Sequence, residues 1–192
     1  MSLEETYSPA DAQTRTDRFV VITGCSGGGK SSLLSELARR GMRVFEEPGR
    51  QIVKEQDWIG GDALPWDNPA GFAELALSRS LHQRITAARF EARSFFDRSP
   101  IDQIAGFVRL GLPTPPHFIR AAERCRYHPA VFVAPPWPEI FRTDAERRHG
   151  FEAAVAEYER LGPTYARFGY RLVALPKVGV AARADFVLAT LA

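Results

Sequence analysis

Gly24, Gly29, Lys30 and Ser31 stand in the order G-x-x-x-x-G-K-S within GCSGGGKSS, residues 24–32. Residues of these types at this spacing make a phosphate cradle. The glycines let backbone N–H groups curl inward around phosphate oxygens without Cβ clashes. Lys30 would reach the β- and γ-phosphates, and the Ser31 hydroxyl would ligate Mg²⁺. The run Gly24, Cys25, Ser26, Gly27, Gly28, Gly29, Lys30, Ser31 and Ser32 is therefore the candidate cofactor site, with ATP and Mg²⁺ as the expected ligands. Cys25 is read as a small filler, whose pKa a nearby positive field would lower. The alternative, a glycine turn with no ligand, is disfavoured because the loop joins an apolar run to a helical spacing.

A phosphate cradle that works with a metal needs a second acidic group. Asp97 ends the run RSFFD, where a strand's carboxyl end would deliver it to the ligand crevice of an open α/β sheet. It is the candidate metal ligand with Ser31, and Arg98 follows it; the alternative for Asp97 is a helix N-cap before SPIDQIAG. FEEPGRQ, residues 45–51, opens on the same crevice. A carboxylate there suits a hydroxyl that attacks a γ-phosphate. Strand alternation puts Glu46 and Glu47 on opposite faces, and both stay candidates, with Glu47 slightly favoured. Arg50 is placed to hold an anionic acceptor or a phosphate. Trp58 and Trp66, with Phe72 nearby, would either stack on an acceptor ring or cover the core.

Elements must position these groups. Short apolar runs at 19–23, 42–45, 94–96, 130–134 and 170–174 read as strands. Helical spacing covers 31–40, 70–93, 102–110, 117–126, 151–168 and 180–191, and a further helix starts within EEPGRQIVKEQ. DWIGGDALPWDNP, residues 57–69, reads as a loop. Strands alternating with helices imply right-handed βαβ units and a parallel sheet. Residues 1–17 are expected to be a flexible tail, and 18–192 one nucleotide-binding, kinase-like domain.

FEEPGR and FFDRSPID resemble the Glu-Pro and acidic-Arg-Ser elements of deoxynucleoside kinases, and EPG is similar to thymidylate kinases. The whole layout is more similar to the predicted ATPases grouped with the ribosylnicotinamide kinase domain of NadR, filed with AAA-type ATPases. The matching stretches are GCSGGGKSS, FEEPGRQIV, LPWDNPAGF, FFDRSPID, YHPAVFVAPPW, RTDAERRHGFEAA and LPKVGVAARADFVL. The resemblance implies a three-layer α/β P-loop NTPase fold, a five-stranded parallel sheet of order 2-3-1-4-5, ATP binding and a kinase-like core. It also implies an arginine-bearing lid after the fourth strand, with Arg142, Arg147 or Arg148 on the transferring phosphate or the nucleotide; the alternative for that segment is a solvated, salt-bridged helix start. Val178, Gly179 and Val180 would then pack against adenine. The residues themselves allow a plainer reading, with Arg183 and Asp185 capping and solvating the last helix. The chain departs from remodelling motors: Asp97 is followed by Arg98, not Glu, and there is no length for a helical lid domain. No NKxD element is present, which favours ATP over GTP.

Composition narrows the partners. A formal net charge of +2 is too small to argue for nucleic acid. No apolar run reaches the roughly 18–20 residues of a membrane helix. Cys25 and Cys125 are the two cysteines, which excludes a disulfide framework and points to a cytoplasmic compartment. The expected activity is Mg-ATP-dependent transfer of the γ-phosphoryl group to a small, nucleoside-like acceptor. The alternatives are an ATP-binding switch or slow ATPase that works through a protein partner and, third, a polyanion or RNA-end kinase. A homodimer is compatible with these features.

Overall fold

The computed structural model describes residues 7–10, 16–141 and 150–192. Five strands, β1 (Phe19–Gly24), β2 (Arg43–Phe45), β3 (Ser94–Asp97), β4 (Ala130–Ala134) and β5 (Arg171–Ala174), form one sheet. Its order is β2-β3-β1-β4-β5 and every pairing is parallel, the expected topology. Every residue of β1, β3 and β4 is buried, as a parallel sheet covered on both faces requires.

Strand alternation splits the core in two. Val20 and Ile22 of β1 pack with Phe95, Phe132, and the Leu33, Leu34 and Leu37 side of α1 (Lys30–Arg39). Ala184 and Val187 of α7 (Val180–Thr190) complete that layer. Phe19 and Val21 face the other way, onto α3 (Pro69–Ala88), α4 (Pro100–Leu110), α5 (Pro116–Arg124) and α6 (Phe151–Arg167). The remaining helix, α2 (Pro48–Ile59), packs on α3.

Four of these helices begin on a proline, Pro48, Pro69, Pro100 and Pro116. Proline's missing N–H is no loss at a first helical position. Ser99 adds a capping box with Asp102 at the start of α4, so that helix opens two residues before the expected Asp102. The loop expected from residue 57 starts later, because α2 runs on to Ile59 and stops at Gly60 in left-handed backbone, φ 67°. The helix expected to reach residue 93 ends at Ala88, and the chain then turns back, with the Arg43 guanidinium 3.3 Å over the Phe90 ring. Of the expected tail, residues 7–10 and 16–17 are described, and Tyr7 stacks on His82 with ring centroids 6.1 Å apart. Among the described residues no helix is long and apolar enough to cross a membrane.

Gly24 is the point where β1 leaves the sheet. Its φ is +132°, and an added Cβ would lie 2.6 Å from the Ala134 nitrogen and 2.8 Å from the Ala134 Cβ. Gly24→Ala therefore combines backbone strain with a clash against the neighbouring strand. It should destabilise the protein by at least about 2 kcal/mol, read as a fall in Tm of about 4–8 °C. An unchanged Tm would mean that the loop entrance is not held as described.

Candidate active site

All five strands point the same way, so the segments that leave them converge along one edge of the sheet. The glycine loop leaves β1. Gly27 and Gly29 hold φ values of 77° and 76°, which close the loop at little cost for a residue without Cβ. Lys30 is 6% exposed, and its Nζ donates to the carbonyls of Gly24 at 3.2 Å and Cys25 at 3.0 Å. Ser26, Gly27, Gly29, Lys30, Ser31 and Ser32 line a cavity of about 430 Å³. Val178, Gly179 and Val180 line its other side, joined by Trp137, Ile140 and Arg183.

Arg98 organises the ground beside this cavity. Among the described residues it is the one non-glycine with positive φ, at 72°, a conformation that usually signals an imposed geometry. Its Nε donates to Glu47 at 2.8 Å, its Nη1 to Asp102 at 3.3 Å and its Nη2 to Glu157 at 2.9 Å. Asp102 is held in turn by the Ser99 N–H at 2.9 Å, the Tyr165 hydroxyl at 2.5 Å and the Thr23 hydroxyl. Glu157 also accepts from the Ser26 N–H at 3.0 Å, which ties α6 to the glycine loop.

The charges respond to this crowding. Burial alone would raise the carboxyl groups of Glu47 and Glu157, but Arg98 and Lys30 outweigh it and hold both below their ordinary values. For Arg98, burial works against the charge, yet Glu157, Glu47, Asp102 and Asp97 together push it well above its usual value. Asp97 goes the other way. Burial, with the Glu47 charge adding to it and Lys30 opposing, pushes its carboxyl up to about 6. Its Oδ1 is buried and has no hydrogen-bond partner among the described residues, an orphan that a buried polar atom does not keep without cause.

A second cavity, about 240 Å³, lies next to the first. Ser26 and Glu47 line both. Arg98, Asp102 and Glu157 form its charged base, and Arg50, Arg109 and Arg160 also line it. Trp66 and Phe72 stand on its wall, with Ala105, Gly106 and Ala153.

Several expected residues fall elsewhere. Glu46 is exposed, and its carbonyl accepts from Gln83, so of the two glutamates Glu47 alone reaches the cavities. Trp58 is 86% exposed and lines neither cavity, because it sits in the last turn of α2 instead of in a loop. Cys25 is buried, and burial raises its thiol pKa despite Lys30; the expected lowering is corrected. Gly24, Cys25 and Gly28 support the loop from within and line neither cavity. Arg183 does not solvate the last helix: it is 3% exposed, and its guanidinium donates to Gly28 O at 3.2 Å and Gly29 O at 3.4 Å. Asp185 does face solvent and pairs with Arg40 at 2.6 Å. Arg142, Arg147 and Arg148 lie outside the described residues.

Sequence reasoning missed Glu157, Arg109, Arg160, Trp137 and Ile140. Glu157 carried a usable signal, since positions three before and four after it on α6, Ala154 and Leu161, are both core residues.

Among solved structures, the chain is similar to a NadR protein in complex with NR, at 20% identity and a TM-score of 0.68, over 92% of this chain and 51% of that one. It therefore spans about half the length of that NadR chain. It is similar to deoxyadenosine kinase from M. mycoides, at 18% identity and TM-score 0.60, over 90% and 98% of the two chains. Shikimate kinase from Acinetobacter baumannii aligns at 13% identity and TM-score 0.54, over 96% and 97%. These identities carry the fold alone. No curated protein matches the chain in sequence. Residues 19–183 match a protein-family model described as AAA domain, a span from the first strand into the last helix. With its phosphate loop set on a 2-3-1-4-5 parallel sheet, the chain belongs to the AAA domain family and has the P-loop NTPase fold.

Proposed function

We propose that residues 18–192 form one nucleotide-binding domain that works in the cytoplasm as a Mg-ATP-dependent small-molecule kinase, transferring the γ-phosphoryl group to a hydroxyl of a nucleoside-like acceptor. One observation carries the reading: Ser26 and Glu47 line both cavities. A nucleotide in the larger cavity and an acceptor in the smaller would meet at those two residues. An ATP-binding switch has no need of the second cavity. The similar folds of deoxyadenosine kinase and shikimate kinase support this reading.

Glu47 would accept the hydroxyl proton as the acceptor oxygen bonds to the γ-phosphorus and the bond to the β–γ bridging oxygen breaks. Arg98 would hold Glu47 in position, and Lys30 would leave the loop carbonyls for the β- and γ-oxygens. The residues fit Mg²⁺. Asp97 lines neither cavity but lies beside Lys30 and offers the orphaned oxygen, and Ser31 lines the larger cavity. Among the described residues no cluster of three His, Cys, Asp or Glu forms a metal cage, which suits an ion held mainly by phosphates and water. When bound, the ion neutralises charge on the phosphates. Arg50 would meet the acceptor.

The test is acceptor-dependent ADP release. With Mg-ATP and a panel of nucleosides, sugars and ring alcohols, at least one acceptor should raise ADP formation well above acceptor-free hydrolysis, with label from the γ-phosphate in the product. ADP release indifferent to every acceptor would turn the reading to a switch or slow ATPase. The pH profile gives an independent check. Asp97 must be unprotonated to hold a cation, so kcat/KM for ATP should fall about tenfold per unit below a pH of about 6. Asp97→Asn should show residual activity without that acid limb. A flat wild-type profile between pH 5 and 7 would remove Asp97 from the role.

A further inference from the structure

We infer that the acceptor is an anion: a ring-bearing hydroxyl compound whose carboxylate or phosphate is received by Arg109 and Arg160, away from the reacting hydroxyl. This rests on the kinase reading and deepens it. The three carboxylates that line the smaller cavity, Glu47, Asp102 and Glu157, all converge on Arg98. Arg109 lies seven residues beyond Asp102 on the same face of α4, roughly 10 Å along its axis. Arg160 lies one turn beyond Glu157 on α6. Neither forms an ion pair among the described residues. Arg160 Nη1 donates to Ala156 O of its own helix at 3.0 Å, which leaves the guanidinium's other donors for a ligand. The acids therefore gather around Arg98 near the glycine loop, while the Arg109 position stands farther along α4 and the Arg160 guanidinium, folded back to Ala156, flanks the cavity from α6. A planar fork of donors matches a carboxylate or phosphate.

Gly106 supplies the second, independent observation. It sits inside α4, where glycine costs roughly 0.5–1 kcal/mol against alanine. An added Cβ would meet nothing within 4 Å among the described residues, so no contact among them requires glycine there. The residue lies between Asp102 and Arg109 on α4 and lines the same cavity as the aromatic side chains Trp66 and Phe72. A flat ring between those side chains and the bare backbone of α4 explains the missing side chain.

Calorimetry in the presence of Mg²⁺ and a non-hydrolysable ATP analogue tests this with two matched pairs: adenosine against adenosine 3′-monophosphate, and 3,4-dihydroxybenzoate against its methyl ester. The anionic member of at least one pair should bind at least tenfold more tightly, and the pair that responds tells phosphate from carboxylate. Arg109→Gln combined with Arg160→Gln should reduce that affinity to the level of the neutral member. Gly106→Ala should keep or raise Tm yet weaken binding of the same anion, which separates the role from folding. Affinity for the ATP analogue, measured on the same samples, reports that each variant is folded. Equal or tighter binding of both neutral members, no binding of either anion, or an anion preference indifferent to the arginine substitutions would overturn the inference. Phosphoryl transfer to neutral acceptors alone would end it while leaving the kinase reading in place.

Discussion

Glu47→Gln should lower phosphoryl transfer by roughly 10²–10⁴-fold, the usual worth of a general base. Mg-ATP affinity should hold or tighten, because the substitution removes a negative charge that, on the kinase reading, would face the phosphates across the larger cavity. The glutamine keeps the shape of the side chain and an oxygen for the Arg98 Nε, now 2.8 Å from Glu47. Arg98 would still have Asp102 and Glu157 as partners, so the fold should survive. Glu46→Gln is the control: its carboxylate is exposed, and turnover should stay at the wild-type level. Steady-state rates on the responding acceptor, with nucleotide titration alongside, decide the matter. Wild-type turnover in Glu47→Gln would leave that carboxylate a structural partner of Arg98 and nothing more.

Lys30→Ala should weaken Mg-ATP binding by more than tenfold, about 1.4 kcal/mol or above. Among the described residues Lys30 is the one lysine lining the larger cavity, the proposed nucleotide site. Its Nζ rests on two loop carbonyls, those of Gly24 and Cys25, so it needs only to exchange those acceptors for phosphate oxygens. The loss has a second consequence. Lys30 pulls the Asp97 carboxyl down against burial, so its removal should move the acid limb to higher pH. Calorimetry on a variant shown to be folded by its thermal transition reads the affinity. Unchanged binding in a folded Lys30→Ala protein would sink the assignment of the glycine loop.

Much of the fold was legible because its signals are local. The runs Phe19–Gly24, Ser94–Asp97 and Ala130–Ala134 are apolar throughout apart from a few small or terminal polar residues, and each is buried on both faces. The alternation of such runs with helical spacing, joined to the phosphate loop, leaves few topologies open. Boundaries were read less well where proline and glycine set them: Pro100 starts α4 early and Gly60 ends α2 late. A proline that opens a helix and a proline that closes a loop look alike until the cap is seen.

The sequence by itself determined the glycine loop, since Gly24 to Ser32 are contiguous and their geometry depends on backbone conformation within one turn. It also brought Asp97, Arg98 and the Glu46–Glu47 pair to strand ends, because a parallel sheet delivers every strand end to one edge. Only the tertiary structure separated the two glutamates in space. Arg98, 51 positions from Glu47 along the chain, draws that carboxylate to the cavities, while Glu46 stays in solvent. Only the tertiary structure showed that Glu157 grips Ser26 across 131 positions and that Arg183 reaches Gly28 across 155. No local pattern marks such pairs. An ion pair or a backbone contact is a matter of a few ångströms in space, and those distances are set by how α6 and α7 pack on the sheet.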